Sequence, residues 1–366
     1  MKTAIIDNGI DNSTLSRYSS SSISLMVSGG KLIPWTPPPE ITHGGVCASV
    51  FAKQAGVLPD VSICLSRDAM HRSNVNDLAA ALKWCADNGI CLISLSMGTT
   101  QPKDCSVLQE AVEKLRCSGT LLVAAASNDN RLTFPAALDF CIGVCDAAAS
   151  PLDKGRFTYL KHPFDGINVA TSPVFMPEFQ VFGSNSLSAA FIAGALYKAF
   201  KEKLNLERAR SWLAQQAQRV PAGWEQSYLQ RKMQPAKEYE GILIACCGVS
   251  PEQTETYMEE LQMHIIKDGY TCVILGRSTK NNPSRHHFSL AASPLLPEQS
   301  LQLAASLCLP GVILFDTEKL ACLADRMVHA GTVYTDTPSP LPPAGLFEYT
   351  PPRDLWIQIK EQFGSD

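Results

Sequence analysis

The feature that most constrains this chain is an alternation of short apolar runs with helical patterns over about the first 235 residues. The apolar runs are predicted strands, comprising Thr3–Ile6, Val61–Leu65, Ile90–Leu95 and Leu121–Ala126. The predicted helices comprise Gly44–Ala55, Asn74–Asp87, Cys105–Cys117, Ser186–Lys203 and Leu206–Gln218. Strands that alternate with helices in this way form α/β folds with a mostly parallel sheet flanked by helices. Leu121–Ala126 is apolar throughout, which predicts a strand buried on both faces.

A second α/β pattern begins after the polar segment Glu225–Lys237. Its predicted strands are Gly241–Cys246, Thr271–Leu275 and Gly311–Phe315, and its predicted helices are Glu252–Lys267, Pro297–Ser306 and Arg353–Phe363. The residues between 335 and 352 are rich in Pro and Thr, which is typical of an extended loop. We therefore expect two domains, 1–232 and 238–366, the second a smaller α/β domain of Rossmann-like or flavodoxin-like architecture.

The composition is that of a globular protein, with 45% hydrophobic and 18% charged residues among 366. A net charge of -4 gives no reason to expect a nucleic-acid partner. No apolar stretch reaches the about 18 residues that a membrane span needs. The first residues lack the apolar core of a secretory signal, so we expect a cytoplasmic protein. The 13 cysteines are odd in number and scattered, which favours reduced thiols, and none has the spacing of a zinc site.

Three polar side chains stand where hydrolytic chemistry would need them. Peptide hydrolysis requires a nucleophile, a base that takes its proton and a carboxylate that orients the base. Ser186 opens a predicted helix, His43 opens another, and Asp7 ends the first strand, at the sheet edge where α/β active sites lie. Taken singly, each has an ordinary structural explanation, as a turn residue or a helix cap. Ser188 is the alternative nucleophile, two residues further along the same helix.

Five segments of the chain resemble the subtilisin-like serine proteases. The segments that carry the resemblance are Ala4–Asp11, Thr42–Ala48, Ile93–Gly98, Ala124–Asp129 and Ser184–Gly194. The resemblance implies an endopeptidase that works through an acyl-enzyme, with Asp7, His43 and Ser186 as its catalytic triad. It also implies Asn128 as the oxyanion-hole side chain. The implied substrate-binding residues are Ser96, Met97, Gly98, Ala126 and Ser127.

This chain departs from the usual family pattern at several positions beside the motifs. The departures are Gly45 in place of Thr, Ser127 in place of Gly, Ser184-Asn185 in place of Gly-Thr, and Ala190 in place of Pro. None removes a catalytic atom, but they leave the substrate preference and the oxyanion geometry open. Only six residues precede Asp7, so we expect folding without a cleaved prodomain. No cofactor or metal is expected, and calcium is only a family analogy, because no acidic loop of the EF-hand type is present.

The second domain lacks the glycine-rich phosphate-binding motifs, which argues against a nucleotide site. It faintly resembles a domain of bacterial systems that mature ribosomally made peptides, through segments around Gly248, Asp268-Gly269-Tyr270 and Gly276-Arg277-Ser278. This implies removal of a leader from a precursor peptide, with the second domain aiding recognition. General intracellular proteolysis and a catalytically inactive peptide-binding scaffold remain the alternatives. The polar run Lys280–His287 is predicted to be a solvated loop, and the oligomeric state is not predicted.

Overall fold

The computed structural model divides into two compact units, Met1–Pro221 and Ala222–Asp366. The structure describes residues 1–19, 21–66, 73–147, 151–161, 163–200, 204–233, 242–247, 251–277, 281–291, 293–316, 331–335, 346–347 and 351–363. Each unit has a sheet of its own. Residues 222–232 group with the second unit, whereas the predicted first domain runs to residue 232. The limits 1–232 and 238–366 stay predictions.

The first unit is built on one large, mainly parallel sheet. Its elements are, in chain order, β1 (Thr3–Asp7), α1 (Asn12–Arg17), β2 (Ile23–Ser28), β3 (Lys31–Pro34), α2 (His43–Ala55), β4 (Val61–Leu65), α3 (Val75–Asp87), β5 (Leu92–Leu95), α4 (Cys105–Ser118), β6 (Leu121–Ala125), β7 (Cys141–Asp146), β8 (Phe157–Tyr159), β9 (Val169–Thr171), α5 (Asn185–Ala199) and α6 (Leu206–Gln216). The nine strands lie in the order β3-β2-β4-β1-β5-β6-β7-β9-β8. Neighbouring strands are parallel except in the pairs β2–β3 and β8–β9. The predicted parallel sheet flanked by helices is confirmed.

Helices α2 and α5 pack against each other and share a buried core with the sheet. Small residues let the two helices approach closely: a Cβ on Gly194 would lie 2.5 Å from the carbonyl oxygen of Phe51. The sheet contributes apolar side chains such as Ile5, Leu92 and Val123 to this core. Helices α3 and α4 pack on each other and contribute no residue to it. The core therefore holds α2 and α5, which begin near the predicted site, in a fixed register.

The carboxyl ends of the central strands meet at one edge of the sheet. Strand β1 lies between β4 and β5, parallel to both, and Asp7 pairs with Cys64 at its end. The backbone N–H of Ser96, just beyond β5, donates to the carbonyl oxygen of Ile6 at 3.3 Å. Because parallel strands end on the same side, the segments that follow β1, β5 and β6 converge there. This edge carries the predicted catalytic and substrate-binding residues.

The second unit contains a smaller sheet in which all neighbouring strands are parallel. Its elements are α7 (Trp224–Lys232), β10 (Ile242–Cys247), α8 (Pro251–Lys267), β11 (Cys272–Gly276), β12 (His287–Ser289), α9 (Pro297–Cys308), β13 (Val312–Asp316), β14 (Gly331–Thr335), β15 (Leu346–Phe347) and α10 (Pro352–Phe363). The strand order is β12-β11-β13-β10-β14-β15. Asp268, just after α8, accepts a hydrogen bond from Nε1 of Trp356 in α10 at 2.9 Å. The predicted smaller α/β architecture is confirmed for this unit.

One local expectation for the second unit is wrong. The predicted solvated loop Lys280–His287 ends in strand β12, and His286 and His287 are 6% and 7% exposed. Pairing of β12 with β11 buries them. The predicted extended loop between residues 335 and 352 lies largely outside the described residues. In the part of the chain that the structure describes, no helix combines the length and apolarity needed to cross a membrane.

Candidate active site

Asp7 and His43 form a hydrogen-bonded pair at the carboxyl edge of the first sheet. Oδ2 of Asp7 lies 2.8 Å from Nδ1 of His43. The carboxylate is 1% exposed, whereas the His43 side chain is 42% exposed. The other oxygen of Asp7 accepts the backbone N–H of Asn8 at 2.7 Å. The carboxylate is thus fixed at both of its oxygens, and it orients the imidazole.

The start of α2 is built to hold His43 in this position. Thr42 caps the helix, since its Oγ1 accepts the backbone N–H of Gly45 at 2.9 Å and donates to the carbonyl oxygen of Gly9 at 2.7 Å. The side-chain oxygen of Asn8 accepts the backbone N–H of Gly44 at 2.8 Å. Residues on both sides of Asp7 and His43 therefore tie the strand end to the helix start.

The space around residue 45, where subtilisin-like proteases usually have Thr, admits only a glycine. A Cβ there would lie 1.9 Å from Oδ2 of Asp11. That carboxylate is buried and accepts hydrogen bonds from Thr14 and from the backbone N–H of Thr42. The carboxylate of Asp11 fills the space that a side chain at residue 45 would need. The departure is therefore coupled to Asp11 and leaves the position of His43 intact.

Ser186 lies in the first turn of α5, whose N-cap is Ser184. Its Oγ donates to the carbonyl oxygen of Ser96 at 3.4 Å, and the residue is 7% exposed. The alternative nucleophile Ser188 is fully buried, and its Oγ lies 2.7 Å from Oγ1 of Thr171. Ser186 borders a cavity at the sheet edge, and Ser188 does not line it. Ser186 is therefore the hydroxyl placed to meet a substrate.

A cavity of about 510 Å³ brings most of the predicted site residues together. It is lined by Ser186, by the predicted oxyanion residue Asn128 and by all five predicted substrate-binding residues, Ser96, Met97, Gly98, Ala126 and Ser127. His43 lines a neighbouring cavity of about 440 Å³ together with Leu187, the residue after Ser186. Ser186 and Leu187 are consecutive residues in the first turn of α5, so both cavities border that turn.

A model of the subtilase family matches residues 1–234 of this chain. The chain belongs to the subtilase family. The match covers all of the first unit and every residue of the candidate site named above. It supports the enzyme class expected from the sequence, a serine endopeptidase.

Curated relatives of this subtilase are proteases from Bacillus. The minor extracellular protease Epr of Bacillus subtilis (strain 168) is 25% identical over 223 residues, covering 56% of this chain and 32% of the relative. Subtilisin DY of Bacillus licheniformis is 30% identical over 97 residues, covering 24% of this chain and 35% of the relative. The chain thus spans about a third of the length of these curated relatives.

Solved structures similar to this subtilase include other proteases. The crystal structure of a lanthipeptide protease has a TM-score of 0.46 and 15% identity, covering 61% of this chain and 81% of that chain. Sphericase has a TM-score of 0.41 and 18% identity, covering 58% of this chain and 84% of that chain.

Asn185 is a residue of the subtilase site whose role the sequence did not reveal. Its Nδ2 donates to the carbonyl oxygens of Ala126 and Ser127 at 3.1 and 2.8 Å. Its Oδ1 accepts the backbone N–H of Asp146 at 2.7 Å. The departure from Thr at this position therefore ties α5 to the segment after β6 and to the last residue of β7. The only signal in the sequence was its place beside Ser186.

Cys47 is a second residue that the sequence gave no reason to assign to the subtilase site. Its Sγ lies 3.8 Å from Nδ1 and 3.9 Å from Nε2 of His43, and Oγ of Ser96 donates to it at 3.6 Å. Burial, and then the charge of Asp7, raise the pKa of the thiol well above its usual range, so the thiol stays neutral. Ligand atoms of Asp7, His43 and Cys47 lie within 4.8 Å of one another. A metal ion held there would compete with the Asp7–His43 hydrogen bond, so we assign none.

Proposed function

We propose that this chain is a serine endopeptidase in which Asp7, His43 and Ser186 form the catalytic triad. The observation that carries the proposal is the 2.8 Å hydrogen bond between the buried carboxylate of Asp7 and Nδ1 of His43. A serine at the start of a helix, on the wall of a cavity at the same sheet edge, supplies the nucleophile. Membership of the subtilase family supports the same assignment.

In this mechanism His43 acts first as a base and then as an acid. Oγ of Ser186 attacks the carbonyl carbon of the scissile bond while Nε2 of His43 takes the hydroxyl proton. Nδ1–H of the imidazole donates to Asp7 throughout, and the carboxylate stabilises the imidazolium. The proton then passes to the leaving amine, the C–N bond breaks, and the acyl group remains as an ester on Ser186. Water then attacks this ester, with His43 again acting first as a base and then as an acid, and the acid product is released.

Asn128 supplies a hydrogen-bond donor for the oxyanion in this mechanism. Its Oδ1 faces the backbone N–H of Asn185 at 3.5 Å, so the Nδ2 end of the amide remains to donate. The residue is exposed and lines the cavity with Ser186. The positive end of the α5 dipole adds to the stabilisation of negative charge at the first turn. Loss of one such donor typically raises the barrier by about 2.7–4 kcal/mol.

We infer that the substrate is a precursor peptide from which the enzyme removes a leader in the cytoplasm. A peptide substrate follows from the enzyme class, and the cavity beside Ser186 offers a place for its side chains. All of the candidate site residues belong to the first unit. The second compact unit, Ala222–Asp366, is therefore available for a separate function, which we take to be recognition of the leader. The faint resemblance around Asp268 and Gly276 supports a role in peptide maturation.

Hydrolysis of a quenched fluorescent peptide library by the full chain tests the proposed activity. We expect cleavage by the wild type and by Ser188→Ala, and none by Ser186→Ala. The two variants remove the same hydroxyl from neighbouring positions of one helix, so Ser188→Ala is the matched control. A folded wild type that binds peptides without cleaving them would favour an inactive scaffold instead.

Leader removal is tested with candidate precursor peptides whose leader is either intact or shuffled in order. We expect cleavage at one site near the end of the leader, with a lower kcat/KM for the shuffled leader. Equal rates for both leaders and cleavage at many sites would instead indicate general proteolysis.

A further inference from the structure

The cavity beside Ser186 contains one carboxylate and no other ionisable side chain among its described lining residues. That carboxylate is Asp104, in the turn that leads into α4. The rest of the lining is apolar, hydroxyl-bearing or amide, including Leu65, Leu78 and Thr99. The described lining of this cavity therefore carries one negative charge, which sequence motifs did not indicate.

Asp104 is held in place by a neighbouring hydroxyl group. It is partly buried, and its Oδ2 accepts a hydrogen bond from Oγ1 of Thr99 at 2.7 Å. Among the described residues, no lysine or arginine forms an ion pair with it. Its neighbour Lys103 is exposed and does not line the cavity. An ionised carboxylate has about four acceptor positions, so most of the hydrogen-bonding capacity of Asp104 remains for a ligand.

The surroundings of Asp104 match the two parts of a lysine or arginine side chain. Such a side chain has an apolar methylene stem and a charged head with several donors. Leu65, Val75 and Leu78 give the same cavity an apolar wall for the stem. Asp104 gives the head an oriented acceptor, and charge-assisted hydrogen bonds of this kind are stronger than neutral ones. An acidic side chain would instead meet a like charge, and none of the described lining residues is a cation that could offset it.

We propose that Asp104 is a specificity-determining residue that selects peptides with a lysine or arginine side chain in this cavity. The inference rests on the proposed endopeptidase function and names its substrate class. The cavity also contains Asn128 and the segment Ser96–Gly98, which resembles the strand that pairs with substrate backbone beside the first specificity pocket. The selected residue therefore lies on the acyl side of the scissile bond.

The experiment uses the full chain and peptides that carry lysine, norleucine or glutamate at each acyl-side position in turn. At one of these positions we expect a kcat/KM about ten-fold higher for lysine than for norleucine, the factor that corresponds to about 1.4 kcal/mol. Glutamate is expected to be the poorest substrate there. The preference for lysine should shrink as salt is added, because the pair is partly exposed.

Two variants separate the charge of Asp104 from its shape. Asp104→Asn keeps an acceptor for Thr99 and is expected to bring the lysine-to-norleucine ratio close to one. The matched control is Glu110→Gln, which removes an exposed charge from the same helix outside the cavity. The control should retain the wild-type ratio.

The outcomes distinguish this inference from the proposed function. If the wild type cleaves peptides but treats lysine and norleucine alike at every acyl-side position, the inference is overturned and the function stands. A lysine preference that survives in Asp104→Asn, or that is insensitive to salt, also overturns it. If the wild type neither cleaves any peptide nor reacts with a serine-directed probe, the proposed function fails, and the inference fails with it.

Discussion

The carboxylate of Asp7 is buried at the end of β1 and lies 2.8 Å from Nδ1 of His43, whose ring is partly exposed at the start of α2. This relationship joins a fixed negative charge to a group that can exchange protons with a substrate. It also fixes the ring tautomer, because Nδ1 must carry a proton in order to donate a hydrogen bond to the carboxylate. In the proposed mechanism the remaining nitrogen, Nε2, is then the base.

Asp7→Asn tests the carboxylate directly. The amide keeps the shape but favours the wrong tautomer of His43, so we expect kcat to fall by about 10⁴-fold, as serine proteases show for this change. The measurement is steady-state hydrolysis with circular dichroism to verify folding. Asn8→Ala is a useful comparison, because it removes only the hydrogen bond from the backbone N–H of Gly44. Activity of Asp7→Asn close to the wild type would contradict the assignment.

Asn128→Ala removes the predicted oxyanion donor. We expect kcat to fall by about 10²–10³-fold while KM changes little, because the interaction forms mainly in the transition state. The neighbouring exposed residue gives a control, Asp129→Asn, which should leave kcat unchanged. A rise in KM with an unchanged kcat would mean that Asn128 binds the ground state and the transition state equally, which would contradict its role as an oxyanion donor.

Asn185→Ala should lower both stability and activity. The change leaves two carbonyl oxygens and one backbone N–H without the partners that Asn185 provides. We expect the free energy of unfolding to fall by about 2 kcal/mol, with a smaller loss for removal of the helix cap in Ser184→Ala. Urea unfolding measures the loss of stability in each of the two variants. Equal losses in the two variants would show that the hydrogen bonds of Asn185 add nothing beyond a cap.

The buried His286 makes the stability of the second unit depend on pH. Burial lowers its pKa from the ordinary 6.5 to about 4. The unfolded chain therefore binds a proton between those values that the folded unit does not, so stability is lost as the pH falls from 6.5 towards 4. The loss from this residue amounts to about 3 kcal/mol.

Hydrogen exchange of the β11 amides in urea reports on the second unit and measures this effect. We expect the stability of the wild type to fall across the pH window 6.5 to 4, and the fall to be shallower in His286→Gln. Parallel pH profiles for the two proteins would show that His286 is not the group responsible.

The prediction of the site came from short motifs that resemble those of the subtilisin-like proteases. Asp7, His43 and Ser186 each stand at the end of a predicted element, and the alternating pattern requires those ends to meet at one sheet edge. Fold class followed from the same pattern. The fold-class prediction depends on local sequence alone, because strand and helix periodicity are local properties.

The residues that the sequence did not reveal act across long separations in the chain. The fit of Gly45 depends on Asp11, and two of the three partners of Asn185 lie almost sixty residues earlier, after β6. The charge of Asp104 matters only because the fold places it in the cavity of Ser186. His286 was misjudged because its polar run looks solvated until pairing with β11 buries it. Such contacts require the tertiary structure.

The most direct test of the proposed triad is the site of reaction with a fluorophosphonate, located by peptide mass mapping of the labelled full chain. We predict a single adduct on Ser186, formed in wild type and Ser188→Ala and absent from Ser186→Ala. Asp7→Asn should also slow the labelling strongly, because the base is no longer oriented. An adduct on Ser188, or a folded wild type that never reacts, would contradict the proposed triad.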